Sequence, residues 1–114
     1  MNKETAAFAH AHRNDNVREL ALHAKPGDGV DMPMALDQIA GWQIASDKLP
    51  EWASCDGIIY PPHISMEQCS SQFTAQYKAD TAHRLIEHAE TTTLVDLTGG
   101  FGVDFSYMAR IFDH

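Results

Sequence analysis

Residues 91–102 have the sequence Thr-Thr-Thr-Leu-Val-Asp-Leu-Thr-Gly-Gly-Phe-Gly, and most of our fold prediction depends on them. The apolar and β-branched run at 91–97 is typical of a buried parallel strand. The glycines that follow predict a tight turn, and residues 103–112 have the pattern of a helix. A strand, a turn and a helix are the first half of a βαβ unit. We therefore predict the first strand and helix of an incomplete α/β domain at 91–114.

The first ninety residues predict a helical bundle instead. Apolar residues recur there at helical spacing. The predicted helices cover residues 4–12, 16–24, 31–49 and 66–88. Asn16, Asp31 and Ser65 are the expected N-caps, because their side chains can accept hydrogen bonds from the first free N–H groups of a helix. Residues 51–62 are expected to be irregular. The predicted fold class is mainly α, with a helical region at 1–90.

Composition and charge restrict the class of protein. The chain has 114 residues, with 8 Lys and Arg against 16 Asp and Glu, and a net charge of −8. Binding to nucleic-acid phosphates needs clustered basic residues, and those of this chain are scattered. No run approaches the roughly 18 apolar residues of a membrane-spanning helix, and no apolar leader is present. Cys55 and Cys69 form no Cys-x-x-Cys motif, so we expect free thiols in a reducing cytoplasm.

The glycine turn has the chemistry of a nucleotide-binding turn. Glycine lets the backbone come close to a ligand and adopt positive φ angles. Asp96 stands at the end of the predicted strand, where its carboxylate can accept hydrogen bonds from a hydroxyl or cationic group. A dinucleotide fingerprint would need a third glycine, and that position is Phe105. Alternatively, Gly99 and Gly100 only make a tight connection between a strand and a helix.

The spacing Asp96-x-x-x-Gly100-x-Gly102 resembles motif I of the class I S-adenosylmethionine-dependent methyltransferases. The longer sequence from Asp96 to Asp104 is similar to RNA and nucleobase methyltransferases of that class. Asp104 differs from the third glycine of the common motif. The resemblance implies a truncated Rossmann-like methyltransferase domain at 91–114.

A second group of sequence blocks resembles a bacterial methyltransferase family that carries a THUMP-like region further on. These blocks are Gly-Ile-Ile-Tyr-Pro at 57–61, Ser-Met-Glu-Gln-Cys-Ser-Ser at 65–71, Thr-Ala at 74–75 and Tyr-Lys-Ala at 77–79. In layout the chain also looks like the cap-guanosine methyltransferases. Together the blocks and motif I cover most of residues 8–114.

The resemblance assigns roles to individual residues. The S-adenosylmethionine-binding set is Asp96, Thr98, Gly99, Gly100, Phe101, Gly102 and Asp104. The residues expected to border the substrate, which would be RNA, are Tyr60, Ser65, Gln68 and Thr74. In such enzymes the ribose-binding acid and the catalytic motif follow later in the chain, beyond His114. The resemblance therefore implies the N-terminal part of a longer enzyme, inactive alone and without a catalytic residue of its own.

Other readings of these residues remain open. Tyr60 is either a packing residue or a base-stacking one, and the polar residues after Ser65 either form a solvated helix start or border a pocket. Trp42 and Trp52 either cover the core or stack on bases.

Metal binding is not expected. His10 and His12 point in different directions on a helix, because two residues turn it by about 200°. The trio Cys55, His63 and Cys69 lacks a fourth zinc ligand.

The alternative function is a non-catalytic helical module that binds other proteins. Residues 91–114 are expected either to be poorly ordered in the monomer or to self-associate with a second copy through residues 93–97, because an unpaired strand edge is a template for another chain.

Overall fold

The computed structural model describes residues 1–114, which form seven helices and no β-strand. The chain divides into two compact units, Met1–Glu67 and Gln68–His114. The helices are α1 Lys3–Ala11, α2 Val17–His23, α3 Met32–Lys48, α4 Pro50–Ala53, α5 His63–Gln68, α6 Gln72–Ile86 and α7 Val103–Met108. The mainly α prediction is confirmed.

Helices α2 and α3 begin where capping residues predict. The Asn16 side chain accepts hydrogen bonds from the backbone N–H groups of Arg18 and Glu19 at the start of α2. Asp31 accepts one from Met34 at the start of α3, which also has a proline in its first turn. Each of these bonds satisfies an N–H that has no partner within the helix.

Helix α3 is the centre of the first unit and contacts α1, α2 and α4. Ala35 and Ile39 are almost completely buried, and Ala9 of α1 and Leu20 of α2 pack in the same cluster. Ala35 and Ile39 are four residues apart and therefore lie on the same face of α3. Together with Ala9 and Leu20 they bring three helices into one core. The apolar spacing of α3 predicts a stripe of Leu36, Ile39, Ala40 and Ile44, but only Ile39 of these is buried and the other three are half-buried.

Residues 51–62 are expected to be irregular, but the short helix α4 extends into them. Helix α5 begins at His63, three residues before the helix that is predicted from residue 66. The N–H of Ser65 donates to the carbonyl of Pro62 (2.9 Å), so Ser65 lies inside α5 and is not its cap. Proline suits this position, because its missing N–H would have no partner at a helix start.

The long helix predicted over 66–88 is wrong, since α5 ends at Gln68 and α6 begins at Gln72. The Ser71 Oγ accepts a hydrogen bond from the Thr74 N–H (3.1 Å) and caps α6. Serine side chains compete for backbone groups in this way and favour a new helix start over continuation of an old one.

Replacement of Ser71 by alanine should therefore lower the free energy of unfolding by about 1 kcal/mol, the usual worth of an N-cap. The matched control is Ser65→Ala, which removes a hydroxyl from the interior of α5 and should change stability by less than about 0.5 kcal/mol. Urea unfolding followed by circular dichroism compares the two variants. A larger effect for Ser65 than for Ser71 would restore the predicted cap.

The first β-strand of a Rossmann-like domain, predicted at 91–97, is not formed. Residues 92–94 make two backbone hydrogen bonds to the end of the chain, from Leu94 N–H to His114 O (2.8 Å) and from His114 N–H to Thr92 O (3.2 Å). Val95 is 72% exposed and Leu97 is 92% exposed, so the expected burial is absent too. A strand depends on a neighbouring strand for its hydrogen bonds. Two backbone hydrogen bonds are too few to form a strand.

The second unit has a small core between α6 and α7. Ala75 and Ala79 of α6 are buried, as are Val103 and Tyr107 of α7. The exposed large residues of α6 are Phe73, Tyr77 and Leu85. Ala75 and Ala79 face α7, because their short side chains allow the backbones of the two helices to approach closely.

Candidate functional site

The glycine turn lies between an extended segment and α7. Gly99, Gly100 and Gly102 have φ angles of +43°, +56° and +82°. This is the left-handed region, which side chains with a Cβ atom rarely adopt. The Gly102 N–H donates to the Gly99 carbonyl (2.9 Å), which closes the turn. The run of glycines is therefore explained by backbone conformation.

Asp96 organises the turn from its N-terminal side. Its Oδ1 accepts hydrogen bonds from the N–H of Gly99 (2.8 Å) and the N–H of Thr98 (2.9 Å), and a longer one from the Thr98 hydroxyl (3.3 Å). These bonds, chiefly the one from Gly99, lower the pKa of the Asp96 carboxyl below its ordinary value of 3.8. The group is therefore ionised at neutral pH, and its Oδ2 faces solvent.

The space around the turn is open. A Cβ atom added at Gly99, Gly100 or Gly102 would meet no other atom within 4 Å. The residues from Asp96 to Gly100 are exposed, while Phe101 and Gly102 are half-buried. A ligand could thus lie against the glycine backbone with an ionised carboxylate beside it, and the described residues would cover it on one side.

Asp104 makes its contacts with α6 and the residues before it. Its Oδ2 accepts hydrogen bonds from the Lys78 ammonium (2.8 Å) and the Ser70 hydroxyl (3.0 Å), and Lys78 also donates to Ser70 Oγ (3.0 Å). The Oδ1 atom is buried without a hydrogen-bond partner. This three-residue cluster fixes the first turn of α7 against the start of α6, so it positions the glycine turn.

The expected substrate residues do not lie in one unit. Tyr60 and Ser65 belong to the first unit, whereas Gln68 and Thr74 belong to the second. Tyr60 is 6% exposed and packs against α3 at Gly41. Burial raises the pKa of its hydroxyl, and the nearby Cys55 adds to this. Ser65 is half-buried, and Gln68 and Thr74 are exposed, so the shared substrate site stays a prediction.

The first unit contains a groove that the sequence does not indicate. Its volume is about 450 Å³. It lies between one face of α1 with the turn that follows it, the middle of α3 and residues 53–60. The Arg13 guanidinium lies over the Trp42 ring, 4.8 Å from its centre. The Trp42 side chain forms part of the wall of this groove.

Metal binding finds no support in the positions of the side chains. No three His, Cys, Asp or Glu side chains are placed so that they could hold a metal ion. His12 instead contacts Asp15 (2.6 Å), and His63 contacts Glu67 (3.2 Å). Cys55 and Cys69 are free thiols, and they belong to different units.

Comparison with protein-family models, curated proteins and solved structures gives no match for this chain. None of its helices combines the length and the apolar character that crossing a membrane requires.

Proposed function

We propose that residues 96–104 bind S-adenosylmethionine and that the protein takes part in methyl transfer to RNA. The observation that carries this is the glycine turn, in which three positive φ angles and an ionised Asp96 border open space. The resemblance of the same residues to motif I supports the choice of ligand. The RNA substrate is supported only by the similarity of this motif to RNA methyltransferases.

Each residue of the turn has a stated part in the proposed binding. The Asp96 carboxylate attracts the cationic ligand and accepts its hydrogen bonds through Oδ2. Gly100 and Gly102 keep side chains away from the ligand. The ion pair between Asp104 and Lys78 (2.8 Å) holds α7 in place behind the turn. Bound S-adenosylmethionine supplies an activated methyl group, and the contribution of the protein is to orient it. We place this activity in the cytoplasm, where Cys55 and Cys69 remain reduced.

The proposal is tested by removing one charge and keeping the turn. In Asp96→Asn the side-chain oxygen can still accept from Thr98 and Gly99, but the negative charge is gone. Since the turn covers the ligand on one side, we expect a dissociation constant of about 1 mM for the wild type. The variant should bind about tenfold more weakly, the usual difference between charged and neutral hydrogen bonds.

Ligand-observed NMR measures the affinity for S-adenosylmethionine. Asp28→Asn is the matched control, because it removes the same charge from another exposed turn. Equal affinity of Asp96→Asn and the wild type would contradict the proposed role of Asp96. Low-micromolar binding by this chain would contradict the one-sided site.

A second candidate function is a non-catalytic interaction module, which the exposed apolar surface of the second unit favours. Phe73 is 82% exposed and Leu85 is 83% exposed, and both lie on α6. Self-association through residues 93–97 belongs to this proposal, because Val95 and Leu97 are exposed on an extended segment. Sedimentation velocity over a hundredfold concentration range tests the self-association. A monomer throughout contradicts self-association.

A further inference from the structure

We infer that the groove of the first unit is a binding site for a small organic anion, with a carboxylate or phosphate group on an apolar body. The inference concerns only residues of the first unit and is independent of the proposed methyl transfer. It depends on three observations: rigid walls, a local pair of basic groups without acidic partners, and a suitable volume.

The walls are held by polar side chains of α3, which lie on one face of that helix. Gln38 binds the backbone of Tyr60 twice, with its Nε2 donating to the carbonyl (2.9 Å) and its Oε1 accepting from the N–H (2.8 Å). The Trp42 indole N–H donates to the Ala53 carbonyl (3.2 Å). These contacts fix the end of α4 and the segment that follows it against α3, so the groove exists before any ligand enters.

The opposite wall comes from α1 and from Arg13, which lies in the turn after this helix. Ala6, Ala9, His10 and Arg13 follow helical spacing and all line the groove. The short side chains of Ala6 and Ala9 keep the groove open, and His10 and Arg13 place polar groups at its edge. Gln43 holds the backbone of Arg13 by donating to its carbonyl (2.9 Å).

The charge around the groove is unusual for this acidic chain. Arg13 forms no ion pair with an acid, since the nearby Asp15 contacts His12 instead (2.6 Å). Its guanidinium instead lies over the Trp42 ring. His10 also forms no ion pair. Asp56 is the one acid at the groove, and it pairs with neither group. An anionic ligand would give Arg13 the partner that the protein does not supply.

The size of the groove agrees with a small molecule. Binding sites for small ligands have volumes of about 300–1,000 Å³ and are mainly apolar with a few polar groups. The volume here is about 450 Å³. A ligand with an apolar body would cover the Trp42 ring edge and the alanines, and its anionic group would lie at Arg13.

Two pairs of probes separate charge from shape and also separate the sources of the anion. One pair is octanoate and 1-octanol, and the other is adenosine monophosphate and adenosine. Fluorescence of Trp42 is followed in a Trp52→Phe background, so that one indole reports. We expect the anion of at least one pair to bind about tenfold more tightly than its neutral counterpart. Preference for octanoate indicates an aliphatic carboxylate, and preference for the nucleotide indicates a phosphate ligand.

Arg13→Gln should remove the preference for the anion and leave binding of the neutral probe unchanged. The fold should persist, because Gln43 binds the backbone of Arg13 and not its side chain. Arg18→Gln, on the exposed side of α2, is the matched control and should retain the preference. Ala6→Leu should weaken all binding, because it fills the groove. Absence of binding by every probe up to its solubility limit, equal affinity for anion and neutral probe, or an unchanged Arg13→Gln would overturn the inference.

Discussion

Replacement of Gly41 by alanine should lower the free energy of unfolding by about 1–3 kcal/mol, the usual cost of overpacking a core. The sign is opposite to the general expectation, because alanine stabilises a helix interior relative to glycine by about 1 kcal/mol. At Gly41 an added Cβ would lie 2.9 Å from the Cγ of Tyr60, which is too close for two carbon atoms.

Tyr60 cannot move away at low cost, since Gln38 holds its backbone through two buried hydrogen bonds. The strain would therefore fall on the contact between α3 and residues 53–60. Gly27→Ala is the matched control, because its added Cβ would meet no atom within 4 Å. We expect the control to change stability by less than about 0.5 kcal/mol in urea unfolding. If Gly41→Ala were as stable as the wild type, the described packing of Tyr60 would be wrong.

Gly100→Val should abolish detectable binding of S-adenosylmethionine. Gly100 has a φ of +56°, so a β-branched residue there strains the turn and also fills the open space beside Asp96. The expected loss is more than tenfold, from a wild-type dissociation constant of about 1 mM. The helices should remain folded, because Gly100 is exposed and a Cβ atom added there would meet no other atom within 4 Å.

The control for this variant is Gly57→Val. Gly57 has a φ of +84° in an open turn of the first unit, so it carries a similar backbone strain. Its replacement should leave the affinity for S-adenosylmethionine unchanged. Equal losses in both variants would mean that general destabilisation, and not the site, causes the effect.

Helix starts were predictable where the signal is local. Asn16 and Asp31 cap their helices through bonds to residues two or three positions away, so their role depends on little else. Ser65 and Ser71 show the limit of this reasoning. Each of these serines precedes a helical pattern. Which of them caps a helix depends on the bond of Ser65 to Pro62 and on the tertiary contact of Ser70 with Asp104.

The strand prediction failed for a physical reason. A composition such as Thr-Thr-Thr-Leu-Val-Asp-Leu indicates a preference for extended backbone, but the hydrogen bonds of a strand come from another segment. Residues 92–94 pair only with the end of the chain, through two backbone bonds with His114 and further bonds between Thr92 and Asp113. The extended preference is therefore present without a sheet, and Val95 and Leu97 stay exposed.

The glycine turn was predictable and its surroundings were not. The positive φ angles at Gly100 and Gly102 are permitted by the absence of a side chain, and a run of glycines indicates such a turn. The contact of Asp104 with Lys78 joins residues on two helices, so it depends on how α6 and α7 pack. The groove at Arg13 and Trp42 likewise depends on three separate segments and has no sequence signature.

The most direct measurement of the central claim is a titration of the ¹⁵N-labelled protein with S-adenosylmethionine, followed by two-dimensional NMR. The account predicts that the amide signals of Asp96 to Asp104 shift with increasing ligand, with a dissociation constant of about 1 mM, and that Gly100→Val removes these shifts. The signals of the first unit should stay in place. Shifts confined to other residues, or no shift of the Thr98 to Gly102 signals at 10 mM ligand, would contradict the assignment of the glycine turn as the cofactor site.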